Sequence, residues 1–185
     1  NRRIKALGIA DRVVQRALCD EVLIPALTKY MIYDNGASQK NKGVDFCRRR
    51  LETHLHKYYR QYGNDGYFLH VDFRKFFDNI RHDKLIAAFE AKLGSGGVMP
   101  VLEDMIKSFR VDISYSDEDL LNQVFNSMEY AKIPQSKKTG KRYMAKSMGI
   151  GSQISQVAGV FFPSRIDTYC KVVRGCKYYG RYMDD

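Results

Sequence analysis

Two short aromatic runs, far apart in the chain, constrain it most. Residues 67–73, Tyr67-Phe68-Leu69-His70-Val71-Asp72-Phe73, follow the turn signal Gly63-Asn64-Asp65-Gly66 and are rich in aromatic and β-branched side chains, which predicts a strand. Residues 177–183 predict a second strand, leading into Tyr182-Met183-Asp184-Asp185. A strand buries its apolar side chains on a sheet, so a carboxylate at its end is costly unless it stays ionised and faces a cation. Mg²⁺ meets that need, because it takes carboxylate oxygens and substrate phosphates. Two such ions can clamp the attacking and leaving oxygens of an in-line phosphoryl displacement. Each element alone is weak: an Asp-Asp pair is common in surface turns, and Asp72 could cap the segment after it. Their joint appearance, in order and between basic flanks, points to phosphoryl transfer.

The flanks emerge from the distribution of charge. The 185 residues carry a formal net charge of +10. Residues 1–62 hold 13 Lys/Arg against 6 Asp/Glu, residues 63–131 hold 7 against 12, and residues 132–185 hold 11 against 3. Two basic segments thus enclose an acidic middle. A cationic surface of this size attracts polyphosphate chains by counterion release, although a merely soluble basic surface accounts for charge alone equally well. No apolar run is long enough to span a membrane. Cys19, Cys47, Cys170 and Cys176 form no CxxC, and His54, His56, His70 and His82 form no ligand pair at helical i, i+4 spacing. Reduced thiols in a cytoplasmic protein are expected, without zinc. The start at Asn1-Arg2-Arg3 reads as that of an excised fragment.

Local signals are mostly helical. Asp11 can cap a helix that Pro25 interrupts or restarts and that fades by Met31. Tyr33-Asp34-Asn35-Gly36 signals a turn, and the polar stretch to Gly43 reads as an exposed basic loop. Residues 44–62 read as a basic helix. Asp83 starts a helix to about Leu93, Gly94-Ser95-Gly96-Gly97 breaks it, and residues 98–109 are helical again. Ser116 caps a short helix through Phe125, residues 130–148 read as a hairpin turning at Lys138-Thr139-Gly140-Lys141, and a helix runs from about Ser152 to Val173. Helices and strands mix without regular βαβ alternation, so the fold class is α+β.

Several of these segments resemble the motifs of reverse transcriptases. Tyr182-Met183-Asp184-Asp185 resembles the YxDD box, and His70-Val71-Asp72-Phe73-Arg74-Lys75-Phe76-Phe77-Asp78-Asn79-Ile80 resembles the first catalytic motif, an Asp followed by an aromatic pair. Gly151-Ser152-Gln153-Ile154-Ser155-Gln156 is similar to the Gly-x-x-x-Ser-Pro/Gln box that opens the palm helix. Arg12-Val13-Val14-Gln15-Arg16-Ala17-Leu18 and Lys40-Asn41-Lys42-Gly43 resemble fingers segments of group II intron and bacterial enzymes. The nearest pattern is that of diversity-generating retroelements and related bacterial or prophage enzymes, in Ile150 to Gln156 and Arg181 to Asp185. Maturases usually show Gln-Gly-Gly and Ala in the corresponding boxes, so splicing is not implied.

The resemblance implies an RNA-directed DNA polymerase of right-hand architecture, with basic fingers in residues 1–66. Residues 67–185 would be palm with inserted fingers and hairpin elements, truncated at the YMDD box, with the thumb absent. Asp72 and Asp184 would hold two Mg²⁺ ions (Mn²⁺ able to substitute), with the carbonyl of Phe73 as a further ligand and Asp185 completing the acidic cluster. A primer 3′-hydroxyl would attack the α-phosphate of a dNTP, and pyrophosphate would leave. Phe77 would exclude the ribose 2′-hydroxyl, while Phe76 or Phe77 could equally be core. Lys40 and Lys42 would meet the triphosphate, or simply face solvent in a loop. Ile150 and Gly151 would lie against the nucleotide, where Gly151 lets the backbone approach. Arg48, Lys137, Lys138, Lys141, Arg142 and Gln156 are candidate contacts to an RNA template and DNA primer, positioning the strands without reading sequence; Gln156 could instead cap its helix. Asp78 is expected to cap the following helix or pair with a base. An element-encoded RNA or accessory protein is a possible partner. Ending inside the catalytic hairpin, such a fragment would be nearly inactive while its parent polymerises DNA. The alternatives are an RNA-dependent RNA polymerase, disfavoured by Phe77 and by Tyr182-Met183 in place of the usual Gly, and a non-catalytic nucleic-acid-binding or abortive-infection protein, disfavoured by the intact Asp72, Asp184 and Asp185.

Overall fold

The computed structural model describes residues 8–125 and 132–185. Along the chain run α1 (Ile9–Leu18), a π-helical segment (Cys19–Leu23), α2 (Ile24–Thr28), α3 (Val44–Tyr62), α4 (Phe76–Asn79), α5 (His82–Leu93) and α6 (Met99–Ser108). There follow β1 (Val111–Asp112), α7 (Glu118–Val124), β2 (Tyr143–Met144), α8 (Gln153–Phe161), α9 (Ser164–Thr168) and a second π-helical segment (Tyr169–Val173). The protein is therefore mixed helical with one small antiparallel sheet, Val111 opposite Met144 and Asp112 opposite Tyr143. Among the described residues no helix is long and apolar enough to cross a membrane.

The chain divides into two compact units, one built around Arg74–Ser155 and the other from Ile9–Phe73 with Gln156–Asp185. In the first, α5 buries His82, Leu85 and Phe89, and α6 buries Met99, Leu102 and Ile106. Both sets follow the i, i+3, i+7 spacing that puts apolar side chains on one helix face, and the two helices pack together. Gly94, at φ 81°, ends α5 with a bond from its N–H to the Glu90 carbonyl. A smaller cluster joins Ile113, Leu121, Phe125 and Met144 across the sheet and α7. Asp117, rather than Ser116, caps α7 by accepting the Asp119 N–H at 2.9 Å.

In the second unit Pro25 does not break the helix. The turn before it widens, with Ile24 N–H reaching back to the Cys19 carbonyl, which leaves room for a ring that would clash with the carbonyl four residues earlier. Helix α3 spans the expected residues and stops at Gly63, where φ is 65°. Expectation and structure differ elsewhere. The helix expected through 152–173 is divided at Pro163, which ends the α8 ladder and sits at the N-cap of α9. The turn at residues 33–36 is largely buried, at Asp34, Asn35 and Gly36, and of the stretch that follows to Gly43 only Ala37 is buried.

The strands differ most. Residues 67–73 form no strand and are exposed throughout, and the Tyr67 and Leu69 side chains face solvent. Residues 177–183 are a bend in which Arg181 makes an isolated parallel bridge to Asn35. β-propensity measures fit to a half-buried pleated surface, and neither run has a ladder to join. The turn expected at Lys138 to Lys141 does form, with Gln135 opposite Arg142, but its outgoing arm at Tyr143–Met144 pairs with Val111–Asp112. Residues 130 and 131 of the expected hairpin, and the Asn1-Arg2-Arg3 start, lie outside the described residues.

Candidate active site

The acidic residues come together through backbone. Tyr182 and Asp185 exchange N–H to carbonyl bonds of 2.9 and 3.1 Å, closing Tyr182-Met183-Asp184-Asp185 into a tight turn with Met183 at φ 59°. The Asp184 carbonyl accepts the Phe73 N–H at 3.2 Å, so the residue after Asp72 touches the residue that resembles the core of the YxDD box. His70 Nε2 stands 3.4 Å from an Asp185 carboxylate oxygen, and the His70 side chain is more than half exposed. Among the described residues neither Asp72 nor Asp184 has a side-chain ion pair, and no three His, Cys, Asp or Glu side chains converge as a ready metal-ligating group. The donors at hand, carboxylate and carbonyl oxygens, suit a hard divalent cation in kind.

Two buried carboxylates lie behind this turn, and sequence reading passed over both. Asp34 receives the Arg50 guanidinium and the Lys171 ammonium, with His54 Nε2 at 3.2 Å. Burial pushes its carboxyl up, but the hydrogen bonds and charges of Arg50 and Lys171 outweigh that and hold it at about 2. Burial likewise pulls the His54 imidazole down, against the opposing pull of Asp34. Gly36 is required in this turn, because a Cβ there would meet the Cys47 Sγ at 2.0 Å. Asp167, fully buried, takes a two-pronged bond from Arg181, and Tyr179 donates its hydroxyl to the same carboxylate at 2.7 Å. Burial first, and then that bond to Asp167, push the Tyr179 phenol well above its usual value. Asp34 had been visible only as part of a turn signal, and Asp167 had not been singled out.

The candidate nucleotide residues fall into both units. Lys40 is exposed. Lys42 folds back on its own loop, its ammonium donating to the carbonyls of Tyr33 and Asn35 at 2.8 and 2.9 Å and lying over the rings of Tyr33 and Phe46. Burial draws its pKa down, with Asp34 opposing. In the other unit, Phe77 is half-buried and packs edge-on against Phe76 at 5.2 Å. Its carbonyl accepts the Met148 N–H at 2.8 Å, which links it to the loop carrying Ile150 and Gly151. Gly151 has φ 107°, a conformation that disfavours any side chain. Asp78 and Asn79 lie in α4, and it is His82, two residues after Ile80, that opens α5.

The candidate strand contacts are mostly solvent-facing. Arg48 lies on the outer face of α3 within 3.6 Å of Asp45 and 4.0 Å of Glu52. Lys137 and Lys138 are exposed at the 136–141 turn, whereas Lys141 pairs with Asp112 at 2.9 Å. Asp112 is held at about 2 by its bond from Ser114 and then by Lys141. Arg142 is half-buried, with its backbone N–H on the Ser114 hydroxyl, and Gln156 is exposed on α8. No protein-family model matches the chain, and no curated protein is similar enough to count as a relative.

Proposed function

We propose that this chain forms the fingers and part of the palm of an RNA-directed DNA polymerase, adding dNTPs to a primer 3′-hydroxyl on an RNA template. The observation that carries the reading is the hydrogen bond from Phe73 to Asp184, which brings two acidic motifs, distant in sequence, to one turn. Asp72, Asp184 and the Phe73 carbonyl are the groups suited to hold Mg²⁺ or Mn²⁺, with Asp185 adding negative charge beside them. Bound there, such ions would lower the pKa of the primer hydroxyl and neutralise charge on the departing pyrophosphate. The chain itself supplies placement: a turn closed by reciprocal backbone bonds holds the half-buried Asp184 beside the exposed Asp185. Phe77 is assigned to rejection of the 2′-hydroxyl, Gly151 with Ile150 to close approach of the nucleotide, and Lys40 to its phosphates. Lys42, already bonded within its loop, would have to release two carbonyls to join it. Arg48, Lys137, Lys138, Lys141, Arg142 and Gln156 remain the proposed track for template and primer.

Primer extension by the complete protein decides the matter, on RNA and DNA templates with Mg²⁺, comparing dNTPs with rNTPs. Extension with dNTPs on RNA supports the reading. Equal use of rNTPs would favour an RNA polymerase, and binding without extension a non-catalytic role.

A further inference from the structure

The Arg181 side chain is spent entirely inside the protein. Its guanidinium is 3% exposed, and Asp167 opposite it is fully buried. Nε and Nη2 donate to the two Asp167 oxygens at 2.8 and 2.9 Å, the planar fork matching the carboxylate. Nη2 also reaches the Val160 carbonyl at 2.6 Å, and Nη1 donates to the carbonyl of Met183. The backbone of Arg181 is held as well, its N–H on the Asp34 carbonyl at 3.0 Å and its own carbonyl accepting the Gly36 N–H at 3.1 Å.

The bond to Met183 is the informative one. Met183 sits at φ 59°, a left-handed conformation that an unbranched side chain tolerates only when its surroundings hold it there. Its carbonyl belongs to the peptide that joins it to Asp184, so rotating that peptide would swing Asp184 away from Phe73. A buried ion pair is weak support for stability, because desolvation offsets its attraction. It is well suited to specifying one geometry, and here its fourth arm ends on the peptide that aims the carboxylate.

We propose that Arg181, oriented by Asp167 and Tyr179, is a positioning residue that locks the Met183–Asp184 peptide and so sets Asp184 and Asp185 for cation binding and chemistry. This rests on the polymerase reading for the chemistry, but not for the cation. Lysine cannot replace the fork, since a single ammonium cannot hold both carboxylate oxygens and the Met183 carbonyl.

The test uses Arg181→Lys, Asp167→Asn and the milder Tyr179→Phe in the complete protein. Mn²⁺ affinity is read by electron paramagnetic resonance, kcat and KM by primer extension, and folding by thermal melting. A control, Leu102→Ala, destabilises the other unit, where Leu102 is buried in α6. Arg181→Lys should weaken Mn²⁺ binding and lower kcat about 10- to 100-fold, the usual penalty for losing a group that orients a ligand, with KM for dNTP changed less than about threefold. Asp167→Asn should behave alike, and Tyr179→Phe should move both quantities the same way by less. Arg181→Lys with wild-type Mn²⁺ affinity overturns the proposal, whether or not the protein extends primers. So does an equal loss of Mn²⁺ affinity in Leu102→Ala at matched melting temperature. Absence of extension in the wild type, with the Mn²⁺ pattern as expected, would overturn the polymerase reading and leave the positioning role standing.

Discussion

Replacing Asp34 by Asn should destabilise the protein by about 2 kcal/mol at neutral pH, and the loss should fade in acid. The Asp34 carboxylate is 2% exposed and holds Arg50, Lys171 and His54. Its carboxyl lies at about 2, against an ordinary 3.8. Each unit of difference corresponds to about 1.36 kcal/mol, which yields the figure above. Because the folded-state pKa is depressed, the contribution is fully present above the unfolded value and disappears as pH falls through the folded one. The expected difference between wild type and Asp34→Asn is therefore about 2 kcal/mol at pH 7 and pH 5, and about 1 kcal/mol at pH 3. Removing one member of a fully buried pair can cost about 3–5 kcal/mol, but Arg50 and Lys171 keep 29% and 23% exposure and can rehydrate once stranded. Urea unfolding followed by far-ultraviolet circular dichroism at the three pH values measures this, with a drop in melting temperature of about 5–10 °C at pH 7 for a chain of this length. A difference below about 0.5 kcal/mol at pH 7, the range of an ordinary surface substitution, would refute the reasoning. So would a difference of undiminished size at pH 3.

In primer extension by the complete protein, Asp72→Asn or Asp184→Asn should abolish activity while leaving primer–template affinity within a few-fold, because the proposed role of these carboxylates is at the transition state; more than a tenth of the wild-type rate in either variant would count against the assignment. Phe77→Val should raise rNTP incorporation relative to dNTP by relieving a clash. If Phe76→Ala does so instead, the two rings, which pack edge-on, have exchanged roles. Nucleic-acid binding, followed by fluorescence anisotropy between about 50 and 200 mM salt, should weaken linearly in log–log form with little sequence preference. Charge reversal at the exposed Lys137 and Lys138 should shallow that slope more than reversal at Lys141, which is already paired with Asp112.

Helices α3, α5 and α6 were legible because their signals are local. Apolar spacing, the glycines at 63 and 94 and the breaker run at 94–97 act within a turn or two of the backbone they direct. Pro163 carried a local signal too, and it divided what had been read as one long helix. The aromatic runs at 67–73 and 177–183 failed as strands for the opposite reason, since strand formation depends on a partner that the run itself does not contain. The acidic motifs were readable as residue patterns expected to share cations, and the backbone contact that joins them, Phe73 N–H to the Asp184 carbonyl, was not.

By itself, then, the sequence determined where this chain coils and where glycine and proline stop it, and it supplied the acidic motifs on which the proposed chemistry rests. Tertiary structure alone decided which carboxylates are buried and what holds them. Lys171 meets Asp34 across 137 residues of chain, and Arg181 folds back to Asp167 and to the carbonyl of Met183. Buried charges must find partners wherever the folded chain brings them, because desolvation leaves them no alternative in water's absence. Spacing along a sequence carries no record of that search.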